Sequence, residues 1–254
     1  VQKVAGLSER EIIHQSRLRK AEPPIVDRLN VKGIPERIDA LGRIVVALDE
    51  AGARQAIREL VDAGVASVAI SFLWSFLNDA HERRVKAMLR AAAPDVLVFA
   101  SSEVAPVLGE YERTVTTALN AYLGPPVIAY AHRLQDTLRK LGYERDLLFS
   151  HCLGGLTTLG EVEAVPLLTL DSGPAGGVLG SVFFARLYGH GEVICSDMGG
   201  TSFDVSLITA GEPTLDEQPV LDKYTFLIPK IAIQSIGAGG GSIVWADEDG
   251  LLRV

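Results

Sequence analysis

The sequence predicts an α/β fold with mixed sheets, arranged as two sections joined by a helical bridge. In the first section, helical and strand-like periods alternate. Its strands are apolar along their whole length, which is typical of a parallel sheet covered on both faces. In the second section, glycine turns separate strands that alternate between apolar and polar residues, as in an antiparallel sheet. The stretch between the two sections is helical throughout.

The composition favours a globular protein and excludes two classes of partner. The 254 residues are 48% hydrophobic and 22% charged, with a formal net charge of -8. This acidic balance repels phosphate backbones, and no basic run of five or more residues interrupts it. Nucleic acid and anionic membranes are therefore not expected partners. The longest nearly apolar stretch, residues 65–77, is shorter than the roughly 18 residues that span a bilayer, so we expect a soluble protein.

Cysteine usage and the two ends of the sequence indicate a cytoplasmic fragment. Cys152 and Cys195 belong to no CxxC pair and to no zinc-ligand spacing, which favours a reducing cytoplasm. The chain opens with Val1 and has no export signal. It closes on a strand-like stretch that begins just after Gly250. We therefore expect a piece of a longer protein, incomplete at both ends.

The elements of the first section follow from local patterns. Ser8 with Glu11 three positions later forms a capping box and predicts a helix over residues 8–20. Residues 31–38 and 43–48 predict a hairpin around the turn 39–42. The alternating elements that follow are helix 51–64, strand 65–73, helix 78–93 and strand 95–102.

The bridge is predicted as two helices, 107–122 and 126–141, because Gly124-Pro125-Pro126 should break them. The run Glu110 to Arg113 has charges at helical spacing, which predicts a solvated helix face or salt links between sections. Beyond it the composition changes, since 14 of the 25 glycines fall between residues 171 and 250. We therefore predict two domains, 1–145 and 146–254.

The strongest chemical signal lies in residues 191–213. An apolar strand, Val193 to Ser196, leads to Asp197 and a glycine turn, and an alternating strand, Phe203 to Thr209, follows. Such a hairpin can hold a nucleotide phosphate. Gly199 and Gly200 would let backbone N–H groups converge on phosphate oxygens, Thr201 and Ser202 would add hydroxyl donors, and Asp197 would hold hydrated Mg²⁺. The alternative is a plain hairpin whose turn needs glycine and is capped by Asp197.

A second glycine run, GAGGGS, occupies residues 237–242. It is not a dinucleotide-binding fingerprint, because Ser242 stands in place of the third glycine and a strand follows instead of a helix. A Walker A pattern is absent from the whole sequence. The glycines of this run would either wrap a ligand or form a tight bulged turn; they are Gly237, Gly239, Gly240 and Gly241.

The pattern DxGGTxxD from Asp197 to Asp204 resembles the phosphate loops of the actin, Hsp70 and sugar-kinase superfamily. More closely, the sequence resembles the hydantoinase A/5-oxoprolinase family, which includes N-methylhydantoinase A subunits and the related subunits of acetone and acetophenone carboxylases. The motifs that carry this resemblance are LTLDSGPAGGVLGSVFFARL, SDMGGTSFDVSLI and QSIGAGGGSI. It extends upstream through IPERIDALGRIVVALDE, ISFLWSFLNDAHERRV and SSEVAPVLGEYERTVTTALNAYLGP, and so covers the chain from about residue 33.

This resemblance implies actin-like, ribonuclease-H-type lobes around a nucleotide cleft. Residues 1–145 would be the remainder of an N-terminal lobe with its bridging helices. Residues 146–254 would begin the core domain and contain the second phosphate loop, while the family's first such loop is absent. The segment 173–187 would be a small-residue helix in which Gly176, Gly177 and Gly180 allow another helix to pack closely.

The resemblance also implies ATP and Mg²⁺ as cofactors, with Asp197 as catalytic residue. The first hypothesis is ATP-dependent opening of a cyclic amide, such as a hydantoin, N-methylhydantoin, 5-oxoproline or a lactam, by an A-type subunit with a hydantoinase B-type partner. The runner-up is the ATP-using subunit of a ketone carboxylase, and the third is a non-catalytic actin-like scaffold. The implied cofactor-binding residues are Gly199, Gly200, Thr201, Ser202, Asp204, Gly237, Gly239, Gly240 and Gly241.

Two further positions bear on the chemistry. Where the family pattern has Asp-x-His before the second glycine run, this sequence has Ala232 and Gln234, which argues against a metal-assisted hydantoinase site and favours a divergent or carboxylase-like branch. His151 and Cys152 are strand neighbours that point to opposite faces, so they form no dyad, and Cys152 is expected to be a buried structural residue. The histidine spacings predict no metal cluster.

Overall fold

A computed structural model describes residues 24–253, so the predicted helix over residues 8–20 lies outside the described part. The chain forms two compact units. Within the described residues, the first contains 24–147 together with Thr158–Leu167 and Gln218–Ile228. The second contains Leu148–Thr157, Leu168–Glu217 and 229–253.

The helices and strands are numbered in chain order. The helices are α1 Glu50–Asp62, α2 Ala80–Ala92, α3 Ser101–Val104, α4 Glu110–Lys140, α5 Leu159–Ala164 and α6 Ser172–Leu187, with 3-10 turns at Arg28–Asn30 and Pro166–Thr169. The strands are β1 Arg37–Ile38, β2 Ile44–Val46, β3 Ser67–Ile70, β4 Leu97–Ala100, β5 Leu148–Ser150, β6 Leu156–Thr158, β7 Val193–Met198, β8 Phe203–Thr209, β9 Glu212–Pro213, β10 Leu215–Asp216, β11 Val220–Leu221, β12 Tyr224–Thr225, β13 Lys230–Ile231, β14 Ile233–Ile236, β15 Trp245–Ala246 and β16 Leu252–Arg253.

The first unit is built on the parallel pair β3 and β4, in register from Ser67 opposite Leu97 to Ile70 opposite Ala100. Helices α1 and α2 cover one face, where Ile57 and Leu89 pack with Ile70. Successive strand residues point to opposite sides of the sheet. Helix α4 covers the other face, where Ala121 and Ile128 pack with Phe99. The predicted alternation over residues 51–102 is confirmed, and so is the covering of both faces.

The hairpin predicted from residues 31–38 and 43–48 is also confirmed, with shorter strands than expected. β1 and β2 pair antiparallel, and Gly42 in the turn has φ +75°, a conformation that favours glycine. The Asp39 carboxylate accepts the N–H groups of Leu41 and Arg43, both at 2.9 Å. These bonds and the Arg43 guanidinium lower the pKa of Asp39.

The predicted break at Gly124-Pro125-Pro126 is wrong, because α4 continues through all three residues. Gly124 fits where α4 meets β4, since a β-carbon there would lie 2.9 Å from the Phe99 ring. Pro125 has no N–H to donate to the carbonyl of Ala121, and the Ser67 hydroxyl donates to that carbonyl instead. Packing against the sheet therefore keeps the helix continuous.

The predicted solvated face at Glu110 to Arg113 is wrong for Arg113, whose side chain is fully buried. Its guanidinium donates to the Ser101 hydroxyl at 3.1 Å and to the Phe72 carbonyl at 2.8 Å, and it also pairs with Glu110. The Ser101 hydroxyl in turn donates to the buried Glu82 carboxylate at 2.6 Å. A connected network of buried polar groups therefore lies at the carboxyl ends of β3 and β4.

Polar residues on the buried side of α4 hold segments from later in the chain. The Thr116 hydroxyl accepts the N–H of Leu227 at 2.9 Å. The Asn120 amide oxygen accepts the N–H of Leu167 at 3.0 Å. Both contacts satisfy polar groups that would be costly to bury alone.

The second unit contains the antiparallel sheet β7, β8 and β14, with β9 added to β8. Helix α6 packs on one face of this sheet, where Val178 and Val182 meet Ile208. The pairs β10–β13 and β15–β16 are antiparallel as well. The predicted antiparallel character of the glycine-rich section is therefore confirmed.

Among the helices between residues 24 and 253, none combines the length and the apolar character that a bilayer span requires.

Candidate functional site

The hairpin of β7 and β8 forms as the sequence predicts. The strands pair from Val193 opposite Ile208 to Met198 opposite Phe203, which places Asp197 directly opposite Asp204. The turn is closed by the N–H of Gly199, which donates to the carbonyl of Ser202 at 3.0 Å. Both aspartates belong to the sheet face that carries Cys195 and Val193, which is the face packed against α6.

The turn leaves a row of backbone donors free. Within residues 24–253, no protein acceptor takes the N–H groups of Gly200, Thr201 or Ser202. The residues Gly200 and Thr201 are exposed, whereas Ser202 is half-buried. Consecutive free amides in a turn form a concave site that suits an anion, with phosphate as the typical ligand.

The second glycine run lies directly on this turn. The N–H of Gly240 donates to the carbonyl of Gly199, and the N–H of Gly241 donates to the carbonyl of Gly200, each at 2.9 Å. A β-carbon at Gly239 would lie 2.7 Å from the carbonyl oxygen of Gly199, whereas one at Gly237 would meet nothing within 4 Å. The second glycine run therefore supports the turn, and its Gly240 and Gly241 amides are used for this contact. Direct contact of the run with a ligand stays a prediction.

Ser235 was missed by sequence reasoning. Strand β14 pairs with β8 so that Ser235 lies opposite Asp204, and the Ser235 hydroxyl donates to Oδ1 of Asp204 at 2.5 Å. The alternation in β14 carries a weak signal for this contact, because Ser235 shares a sheet face with the partly buried Ile233 two positions earlier. The pairing of β14 with β8 is not readable from either strand alone.

A cavity of about 190 Å³ opens between α6 and the sheet beside the two aspartates. It is lined by polar and small side chains, among them Asp197, Asp204, Ser206, Cys195, Gly177 and Ser181. Asp197 and Asp204 form no salt bridge with any residue of the described range 24–253. Two carboxylates without a basic partner suit a hard cation such as Mg²⁺, which prefers oxygen ligands.

The glycines of α6 do not act as expected. A β-carbon at Gly176, Gly177 or Gly180 would meet no atom within 4 Å in the described structure. The predicted close packing of another helix at these positions is therefore wrong for residues 24–253. Instead, the absence of side chains keeps space open above the sheet, and Gly177 lines the cavity.

The positions that depart from the family pattern lie beside the site. Gln234 pairs with Val205, one residue from the Ser235–Asp204 pair, and so points to the opposite sheet face. The N–H of Ala232 donates to the carbonyl of Thr214 at 2.8 Å. Neither side chain supplies a metal ligand on the aspartate face.

Cys152 is 2% exposed, which confirms the predicted buried cysteine. Its N–H donates to the carbonyl of Leu168 at 2.7 Å, and its carbonyl accepts the N–H of Ile231 at 2.9 Å. Burial raises the pKa of the thiol, so Cys152 stays protonated and is not an activated nucleophile.

Residues 24–253 contain no group of three or more histidine, cysteine, aspartate or glutamate side chains that could hold a metal ion. Any cation at the hairpin would therefore take part of its coordination from water or from a ligand.

Comparison with known proteins gives a consistent picture. Residues 113–254 match the family described as hydantoinase/oxoprolinase, and residues 6–93 match the family described as hydantoinase/oxoprolinase N-terminal region. The gamma subunit of acetophenone carboxylase from Aromatoleum aromaticum is 37% identical over an alignment of 233 residues, and the match covers 89% of this chain and 32% of that subunit.

Two solved structures resemble this one. The nucleotide-free structure of acetone carboxylase matches with a TM-score of 0.82 at 32% identity, over 98% of this chain and 36% of that chain. ATP-dependent caprolactamase from Pseudomonas jessenii matches with a TM-score of 0.76 at 34% identity, over 96% and 37% of the two chains. The chain thus spans about a third of the length of these relatives. The matches confirm the predicted mixed α/β fold class.

Proposed function

Since the chain belongs to the hydantoinase/oxoprolinase family, we propose that it is part of an ATP-dependent enzyme that hydrolyses a cyclic amide. The substrate class is a hydantoin, an N-methylhydantoin, 5-oxoproline or a lactam. The resemblance to ATP-dependent caprolactamase supports this class. The chain would act within an A-type subunit, alongside a B-type subunit. The free thiols of Cys152 and Cys195 support a reducing, cytoplasmic location.

The observation that carries the proposal is the braced turn beside two carboxylates. The free N–H groups of Gly200, Thr201 and Ser202 are suited to phosphate oxygens, and the Thr201 and Ser202 hydroxyls add donors. Asp197 and Asp204 line the adjoining cavity and are suited to hydrated Mg²⁺. The donor set therefore fits Mg-ATP.

When bound, ATP supplies the phosphoryl group that turns the amide oxygen into part of a better leaving group. The contribution of this chain is electrostatic. The turn amides are held in place before the reaction, so they can neutralise charge on the phosphate oxygens without reorganising. Asp197 holds the cation that shares this task.

The test uses the full-length polypeptide with its partner subunit. ATP turnover is measured with hydantoins, lactams and 5-oxoproline, for the wild type and for Asp197→Ala. We expect one cyclic amide to stimulate turnover and Asp197→Ala to lower it by roughly a hundredfold or more. Thr209→Ala, at the far end of β8, is the matched control and should keep wild-type turnover. If the intact wild-type complex binds no ATP, the turn is a plain hairpin and the scaffold hypothesis replaces this one.

A second candidate is the ATP-using subunit of a ketone carboxylase. The 37% identity to an acetophenone carboxylase subunit and the TM-score of 0.82 with acetone carboxylase favour it. The presence of Ala232 and Gln234 is consistent with that branch. In the same assay, stimulation by a ketone with bicarbonate, and not by any cyclic amide, would select the carboxylase.

A further inference from the structure

We propose that Ser235 is a positioning residue of the phosphate site, which fixes the Asp204 carboxylate for cation binding. The inference rests on the proposed function of the hairpin and extends it to a residue on a third strand. Ser235 acts through Asp204, to which its hydroxyl donates.

The strand register directs the Ser235 hydroxyl toward the Asp204 carboxylate. Ser235 and Asp204 are register partners on the same sheet face, and the serine Oγ donates to Asp204 Oδ1 at 2.5 Å. Oδ2 of Asp204 has no protein partner within residues 24–253, so it stays available to another ligand. A hydrogen bond to an ionised acceptor is among the stronger ones in proteins, so it can hold the carboxylate rotamer.

Asp204 needs such support because of its neighbour. Asp197 lies directly opposite across the hairpin, and like charges in that relation repel. In the absence of a cation this repulsion favours rotation of one carboxylate away from the cavity. The Ser235 hydroxyl opposes that rotation and keeps both carboxylates on the cavity face.

The same short segment also fixes the turn. Gly240 and Gly241, five and six residues after Ser235, donate to the carbonyls of Gly199 and Gly200 at 2.9 Å. One stretch of chain therefore sets the cation-binding carboxylate and the phosphate-binding turn together. Loss of the serine hydroxyl should affect the first of these and leave the second in place.

The test measures the Mg²⁺ dependence of ATP turnover in the full-length chain with its partner subunit. In Ser235→Ala we expect the free Mg²⁺ concentration for half-maximal turnover to rise roughly tenfold, the loss typical of one hydrogen bond to a charged group. The KM for ATP at saturating Mg²⁺ should stay near the wild-type value. A merely structural hydrogen bond would instead lower thermal stability without changing the Mg²⁺ dependence.

Two further variants keep the test decisive if Ser235→Ala folds poorly. Ser235→Thr and Ser235→Val have nearly the same shape and differ in the hydroxyl. The threonine variant should recover the wild-type Mg²⁺ dependence and the valine variant should not. Equal behaviour of these two variants would overturn the proposal.

A double substitution separates this inference from the proposed function. With Asp204→Asn present, Ser235→Ala should cause little further loss, because its target carboxylate is gone. Full additivity of the two losses would overturn the role of Ser235 while ATP turnover, and with it the proposed function, still stands. Absence of ATP binding in the wild-type complex would overturn both.

Discussion

The Ser67 hydroxyl donates a hydrogen bond to the carbonyl of Ala121 over 2.7 Å. Ala121 lies four residues before Pro125, so in a regular helix its carbonyl would accept the N–H of residue 125, which proline lacks. A side chain on strand β3 thereby completes the hydrogen bonding of helix α4. This contact shows how a helix can keep Pro125 in its interior.

Ser67→Ala should lower the free energy of unfolding by about 1 kcal/mol, because it leaves the Ala121 carbonyl without a donor. Pro125→Ala restores a backbone N–H, so the serine substitution should cost less in that background. Urea unfolding of the four chains of this double-mutant cycle measures the difference. Equal costs in the two backgrounds would show that Ser67 does not compensate for the proline.

Gly239→Ala should displace the turn at residues 199–202, because its β-carbon would lie 2.7 Å from the Gly199 carbonyl oxygen. Overpacking against backbone costs about 1–3 kcal/mol, so we expect ATP affinity to fall about tenfold. Isothermal titration of the full-length complex measures this affinity. Gly160→Ala, on α5 and outside the site, is the matched control, since a β-carbon there also meets nothing within 4 Å, and it should bind ATP like the wild type.

Arg113→Leu should destabilise the first unit by about 3–5 kcal/mol, because it removes one member of a buried charged network. It leaves the Phe72 carbonyl and the Ser101 hydroxyl without the guanidinium that now bonds to them. Thermal and urea unfolding measure the loss. Arg133→Leu, an exposed position on the same helix, should change stability by less than about 0.5 kcal/mol. Similar losses in both variants would contradict the special role of Arg113.

Cys152 should make stability fall at alkaline pH. Burial raises the pKa of its thiol in the folded state, so the folded form holds the proton more tightly than the unfolded form. This contribution is fully present below the ordinary thiol pKa of about 8.5 and is lost as the pH rises through the folded-state pKa.

Unfolding measured from pH 7 to pH 10 tests this dependence. Cys152→Ala should lack the alkaline loss that Cys152 causes, whereas Cys195→Ala, which keeps the buried thiol, should retain it. An identical pH profile for all three chains would exclude a role for Cys152 in the alkaline loss.

Features encoded over a few neighbouring residues were predictable from the sequence. The alternation of helix and strand over residues 51–102 follows from the spacing of apolar side chains, which reports burial directly. The hairpin at residues 193–209 follows from two strands separated by a glycine turn. In both cases the interactions that form the element lie within the pattern itself.

Features that depend on distant partners were not predictable. The helical continuity at Pro125 depends on Ser67, which is 58 residues earlier in the numbering of the chain. The burial of Arg113 depends on the ends of β3 and β4, which α4 covers. The charge spacing of residues 110–113 alone is that of an exposed helix. Ser235 and Asp204 are 31 positions apart, and their contact depends on the pairing of β14 with β8. Local patterns contain no information about such pairings.

The contacts of Thr116 and Asn120 constrain the order in which the protein can fold during translation. Leu227 leaves the ribosome 111 residues after Thr116, and Leu167 leaves it 47 residues after Asn120. Until then, the Thr116 hydroxyl oxygen and the Asn120 amide oxygen on the inner side of α4 lack these two N–H donors, so the first unit cannot reach its final packing. Contacts between such distant residues slow folding, because long loops must close before they form. The first unit is therefore complete only after the second-unit segment Leu168–Glu217 has been translated, because that segment precedes the first unit's own Gln218–Ile228.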